Sequence, residues 1–196
     1  MEVSLDVINH FRTRYPFLED EDIESVLDLV VFKTYNANDF FVRFEEVNTN
    51  IFLVLNGLFK TYYLDENGEE VIINFYKEND ISGNWYSTLL GEPSKLCISA
   101  LEPSVIIQVD IRKIDALAFN NINILRAYSD ILKGKLISSL HKIWGNMNEK
   151  PEVRFLRLKE ERADLLDRLS QKQIASFLGI TPVSLSRIKK RLSMKS

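Results

Sequence analysis

Residues 170–192, Ser-Gln-Lys-Gln-Ile-Ala-Ser-Phe-Leu-Gly-Ile-Thr-Pro-Val-Ser-Leu-Ser-Arg-Ile-Lys-Lys-Arg-Leu, read as two short helices joined at a glycine. Ala175 is small, as a close helix crossing requires. Gly179 follows four residues later, where the chain must leave the first helix through a left-handed conformation. Thr181 and Pro182 pair an N-cap with a first-turn proline, so a second helix starts there. Ile174, Leu178, Ile180, Leu185, Ile188 and Leu192 fall where the helices face each other and a core. The outward positions are Ser184, Arg187, Lys190 and Arg191. The spacing is that of a helix-turn-helix, whose second helix enters a DNA major groove. An ordinary helical hairpin has the same apolar spacing.

Charge separates these two readings. Residues 1–149 hold 13 Lys and Arg against 23 Asp and Glu, a balance of −10, while residues 150–196 hold 12 against 5, a balance of +7. No Asp or Glu occurs from Leu169 to Ser196. An acidic chain that gathers its positive charge on one terminal module has a separate place for a polyanion.

At 196 residues the chain is long enough for one large or two small domains. No uncharged apolar run approaches the roughly 20 residues of a membrane span. The start, Met1-Glu2-Val3-Ser4-Leu5-Asp6, lacks the basic and apolar stretches of a signal peptide. The single cysteine, Cys97, leaves no internal disulfide and no four-cysteine metal or iron–sulfur site. A cytoplasmic protein is the simple expectation. Enzymatic chemistry finds no support. The two histidines, His10 and His141, sit in different segments, and there is no glycine-rich phosphate loop or Gly-x-Ser-x-Gly elbow. No metal site and no cofactor are expected.

The texture along the chain changes three times. Helix is expected up to about Val31, with Glu19-Asp20-Glu21-Asp22 as a solvated first turn. From Val31 to Val109 the chain reads as strands. Residues 51–55 end at Asn56-Gly57, residues 58–64 follow, and Asp65-Glu66-Asn67-Gly68 precedes residues 71–76. Two β-rich runs joined by Asn-Gly predict a hairpin. Gly83, Gly91-Glu92-Pro93 and Glu102-Pro103 mark further turns, and residues 105–110 form a last strand. Many short strands with regular turns predict a closed antiparallel roll or barrel.

A long helix is expected from Ile122 to Met147. Leu125, Tyr128, Leu132, Leu136, Leu140, Ile143 and Met147 form one apolar stripe, and Ile124, Ile131, Ile137 and Trp144 another. A helix apolar on two sides needs two partners. The roll covers one, and a second copy of the helix or burial within one chain covers the other. Pro151 starts a further helix, which puts a hinge at Asn146–Lys150. The expected division is residues 1–121, a sensor roll; residues 122–147, a dimerisation helix; and residues 148–196, a helix-turn-helix domain.

Roll, long helix and C-terminal helix-turn-helix, in that order, resemble the Crp/Fnr family of bacterial transcription regulators. The stretch Phe52 to Lys60 with Asp65 to Glu70, and Gln171 through Leu192, carry the resemblance best. It implies an α+β chain: a cyclic-nucleotide-binding-like β-roll, a homodimer along the long helix, and a winged helix-turn-helix on a near-palindromic duplex, with RNA polymerase as a further partner. The wing is expected around Ala163–Ser170, or shortened.

By the same resemblance Arg187 is the base-reading arginine, giving a bidentate contact to guanine worth ~1–3 kcal/mol of discrimination. Val183 stands where many members carry a glutamate, and it offers a methyl contact to thymine instead. Pro182 stands at a position that is often arginine. Ser170, Gln171, Lys172, Thr181, Ser184 and Lys190 match phosphate-contacting positions, and Arg191 joins the same basic face. The family's cyclic-AMP pocket uses a Gly-Glu pair and an Arg-Ser pair. Here Gly83-Asn84 and Ser94-Lys95 fall there, with Trp85 alongside. The ribose carboxylate and the planar arginine fork are both missing, so cyclic AMP is not the expected ligand. Haem finds no supporting residue. The competing reading is a ligand-binding or protein-interaction roll without specific DNA binding.

Overall fold

The computed structural model describes residues 5–194. The elements run α1 (Leu5–Arg14), α2 (Asp20–Leu27), β1 (Val31–Tyr35), β2 (Phe40–Val42), β3 (Asn50–Asn56), β4 (Phe59–Leu64), β5 (Glu70–Tyr76), β6 (Ile81–Gly83), α3 (Trp85–Leu90), β7 (Cys97–Ala100), β8 (Ser104–Asp110), α4 (Ile111–Asn120), α5 (Ile122–Asn148), α6 (Pro151–Glu161), α7 (Ala163–Arg168), α8 (Gln171–Phe177) and α9 (Pro182–Ser193). The chain is α+β, with an antiparallel β-roll, a long helix and a C-terminal group of helices. Contacts divide it into two units. One runs to Tyr63 and resumes over Asn74–Lys133; the other joins Leu64–Ile73 to the chain from Gly134 onward.

The roll is two four-stranded sheets, ordered β1-β8-β3-β6 and β2-β7-β4-β5. Their shared core takes Phe52, Val54 and Ile106 from the first sheet and Phe41, Phe59, Tyr76 and Ile98 from the second. The aromatic rings interlock, with Phe41 to Phe52 centroids 4.5 Å apart and Phe52 to Phe59 5.2 Å, distances at which tilted rings attract.

The sheet order corrects one expectation. β3 and β4, joined at Asn56-Gly57, lie in different sheets and form no hairpin. The turn is a corner. Gly57 has φ of 105°, and a Cβ there would come within 2.1 Å of the Ser104 hydroxyl. The second Asn-Gly, at Asn67-Gly68, does join neighbouring strands, β4 and β5. Dipeptide chemistry specifies the turn but not which sheet the next strand joins. Gly83 is also no turn. It ends β6, opposite Ile51.

The N-terminal helical region is two helices. α2 starts with a capping box in which Glu19 N–H donates to Asp22 Oδ2 at 2.9 Å. α4, between the last strand and α5, was not anticipated. Asp110 caps it, its carboxylate accepting from Arg112 N–H at 3.0 Å and from the Arg112 guanidinium. The expected wing at Ala163–Ser170 is instead helical over α7, and no strand follows β8 among the described residues. Residues 163–168 bury Leu165 completely, which a helical turn achieves and an exposed wing would not. No described helix is long and apolar enough to cross a membrane.

Hydrogen bonds from Arg112, set against partial burial, hold the Asp110 carboxyl down to about 2. A lowered carboxylate stabilises the fold above its ordinary range and ceases to do so as pH falls through its folded value. Asp110→Ala is expected to cost ~1 kcal/mol at neutral pH. The melting difference between parent and variant should narrow from pH 4 to pH 2, as thermal melts in that range would show.

Candidate functional site

The second unit builds a rigid helix pair from local polar chemistry. Ser170 caps α8 with a full capping box: its hydroxyl accepts from Gln173 N–H at 3.2 Å, and the Gln173 side chain accepts from Ser170 N–H at 2.8 Å. α8 ends in a Schellman turn, with Ile180 N–H bonded to Ala175 O and Gly179 N–H to Ser176 O, both at 3.0 Å. Gly179 takes φ of 66° there, as the sequence requires. Thr181 caps α9 through its hydroxyl, which accepts from Ser184 N–H at 3.2 Å. Beneath the turn, Leu165, Ile174, Ala175 and Leu185 are fully buried, with Leu178 and Ile188 nearly so. Ile180 and Leu192 are half-buried.

The expected outward residues are exposed, with one exception. Thr181, Pro182, Val183, Arg187, Lys190 and Arg191 are exposed on or beside α9, and Ser170, Gln171 and Lys172 are exposed at the start of α8. Ser184 is half-buried, with its hydroxyl 3.0 Å from that of Thr181. Among the described residues Arg187 and Lys190 have no ion-pair partner. Arg191 does, lying 3.4 Å from Glu152. Lys189 leans over the Phe155 ring at 5.7 Å.

Three contacts within this unit were not legible in the sequence. Arg154 donates to Glu149 O at 2.9 Å and to Leu178 O at 2.8 Å. One guanidinium thus joins the segment after α5 to the end of α8. On the other side of α8, the hairpin tip Leu64–Ile73 docks through Ser176, whose hydroxyl donates to Glu70 O at 2.8 Å and accepts from Ile72 N–H at 2.9 Å. Beside it Lys172 pairs with Glu69 at 2.5 Å, which holds the lysine above its ordinary pKa. No spacing rule connects a turn acid to a lysine a hundred residues later.

The long helix leaves much of its first stripe uncovered. Leu125, Leu136, Leu140 and Ile143 are between 45% and 60% exposed, so burial within one chain is not met at these positions. Leu132 is half-buried, and Tyr128 packs against the cluster of Val109, Ile111 and Ile114. The second stripe splits. Ile124 is buried and Ile131 half-buried, but Ile137 and Trp144 are exposed.

The residues expected to line an effector pocket lie at the end of β6, at the start of α3 and in the loop before β7, and two of them, Asn84 and Ser94, are engaged in local hydrogen bonds. Asn84 is buried and its amide donates to Ser87 Oγ. The Ser94 hydroxyl is buried and closes a turn, donating to Leu96 O at 2.7 Å. Lys95 is exposed, with its ammonium 5.2 Å from the Tyr86 ring. Gly83 is buried and Trp85 half-buried. Sequence reading missed Thr61 and Ser82, two buried hydroxyls in the roll without a protein hydrogen-bond partner.

Lys142 is the unusual cation of the second unit. Its Nζ is buried without a hydrogen-bond partner and lies 4.0 Å from the Phe177 ring. Burial pushes the amine down to about 8 from an ordinary 10.5. Between those values the unfolded chain binds more protons, so the parent gains stability as pH rises through that window. Lys142→Met should raise the melting temperature at pH 7, and its advantage should shrink toward pH 10. A melting difference independent of pH would contradict this account.

Comparison with known proteins agrees with this architecture. Residues 32–121 match the cyclic nucleotide-binding domain family, and no curated protein sequence matches the chain. FixK2 from Bradyrhizobium japonicum superposes with a TM-score of 0.69 at 17% identity, over 85% of each chain. The c-di-GMP responsive global regulator CLP of Xanthomonas campestris gives 0.71 at 13% identity, over 90% of this chain and 93% of that one. A protein from Eubacterium rectale described as a candidate transcriptional regulator of the Crp/Fnr family gives 0.69 at 13% identity, over 92% and 86%. The chain therefore contains a cyclic nucleotide-binding domain and has the fold of the Crp/Fnr regulators.

Proposed function

We propose that this protein is a sequence-specific, DNA-binding transcription regulator that works as a homodimer and has no enzymatic activity. The observation that carries the reading is the exposed face of α9, where Val183, Arg187 and Lys190 stand clear of the capping residues in a segment without acidic side chains. Arg187 reads bases, because its planar fork matches guanine O6 and N7. Lys190 and Lys172 meet phosphates, with Ser170, Gln171, Thr181 and Ser184 at the helix starts, where free N–H groups favour anions. The exposed stripe of α5 is the dimer seam, and the two α9 helices then address half-sites ~34–36 Å apart. Any ligand in the roll differs in chemistry from cyclic AMP, since Asn84 supplies no carboxylate and Ser94 is committed to its own turn.

Selection of duplexes from sheared genomic DNA by the purified protein, at near-physiological salt, tests this reading. A recovered palindromic motif supports it. Absence of any binding that weakens with salt overturns it. Arg187→Ala should flatten the base preference at one position of each half-site. Lys190→Ala should weaken all sequences alike and reduce the salt dependence by about one counterion.

The Glu69 carboxylate occupies a lysine assigned to phosphate. Glu69→Gln should therefore tighten DNA binding at low salt by no more than a few-fold, because an exposed ion pair is weak. The gain should disappear in Lys172→Ala, as a double-mutant cycle of filter-binding constants would reveal.

A further inference from the structure

The first unit contains a cavity of about 150 Å³ that the proposed function does not use. Its walls are α1, α2, one face of the sheet β1-β8-β3-β6, and α5. Val7, Val26, Leu53, Ile107, Ala127 and Ile131 represent these walls. The cavity lies outside the roll. Val54 and Ile106, which do not line it, pack in the roll core. Their neighbours Leu53 and Ile107 cluster with Val7 on the opposite face of the pleat. A ligand held between the two sheets and a ligand held here would be separated by a sheet.

The chemistry of the lining selects the occupant. The walls are almost wholly carbon, and three of the polar side chains among the lining residues, Tyr15, Asp22 and Tyr128, are already engaged. Asp22 accepts from the Asn121 and Asn123 amides and from Glu19 N–H. Tyr15 accepts from Arg14, and Tyr128 is held by Asp115. An anion would find no counter-charge among the lining residues, and a cation would have to compete for Asp22 with the three N–H groups it already accepts from. Interiors pack at near-crystalline density, and an apolar space of this size is large enough to admit a benzene-sized molecule. We propose that this cavity is a binding site for a neutral, apolar molecule about the size of a single aromatic ring. Four of its lining residues, Ile124, Ala127, Tyr128 and Ile131, belong to the long helix, so an occupant rests directly against α5.

Benzene is the probe for the full-length protein, read by methyl NMR and thermal melting. The expected result is saturable binding, with a melting temperature that rises with benzene concentration. Shifts should be largest at the methyls of Leu53, Ile107 and Ile131, and small at Ile98 and Ile106 inside the roll. Ala127→Leu fills the space and should weaken benzene binding at least tenfold. If that variant does not fold, the same shift pattern under xenon pressure in the parent protein serves instead. A response that fails to saturate, shifts centred on Ile98 and Ile106, or an Ala127→Leu protein that binds benzene as the parent does would each overturn the proposal. None of these readouts involves DNA, so they are independent of the proposed function.

Discussion

The pairing of β3 with β8 organises the first unit, because these two strands carry apolar residues on both faces. Leu53 lies opposite Ile107 and Phe52 opposite Gln108. Along β3 the inward residues enter the roll core and the outward ones meet the N-terminal helices. In a sheet with one wet face, the hydrophobic pattern alone forbids a one-residue slip. Here a slip would exchange one apolar set for another, so the register needs other anchors. They stand at the strand ends. Gly57 packs against Ser104, whose hydroxyl accepts from Leu58 N–H at 3.3 Å and donates to Glu102 O at 2.7 Å. At the far end Ile111 N–H bonds to Thr49 O at 3.0 Å. A bulge between Val54 and Asn56 absorbs the extra residue that lets the chain turn the corner.

The second unit uses a similar economy with different chemistry. Its helices are short, and isolated helices of that length are marginal in water. Polar side chains terminate its backbone: Ser170 and Thr181 at two helix starts, Arg154 across carbonyls near two helix ends. With the polar caps consumed locally and the apolar residues buried, the long cations are what remain on the α9 surface. That division explains why Arg187 and Lys190, but not Arg191, stand unpaired among the described residues.

How far the sequence could be read follows from the range of each interaction. The left-handed exit at Gly179, the N-cap at Thr181 and the start of α6 at Pro151 are set within five residues and were legible; the cap at Ser170 is equally local, but that residue was read only as a phosphate contact. The corner at Asn56-Gly57 was misread because an Asn-Gly turn looks alike whether its strands pair with each other or part company. α4 was missed because its start resembles the end of a strand until Asp110 is seen to cap Arg112. The wing was misplaced because Leu165 and Leu169 fit either a buried helical turn or a strand. Lys172 was assigned a role from its position, but its pairing with Glu69 depends on a fold-level approach that no local pattern encodes.

The long helix shows why two-sided amphipathicity is informative even when its period is irregular. Its residues near Ile124 and Ala127 face a layer that lacks atoms to fill it, while Leu136, Leu140 and Ile143 face solvent. A helix whose only task was to pack one roll would be apolar on one stripe and charged on the other. Exposed apolar area on that scale is costly to keep unless a partner covers it, and a second copy of the same stripe is the simplest surface that matches it in length and polarity. An occupant of the cavity and a partner on the opposite stripe would then press on the same element from two sides. With both in place, α5 would be the one element that each of them touches.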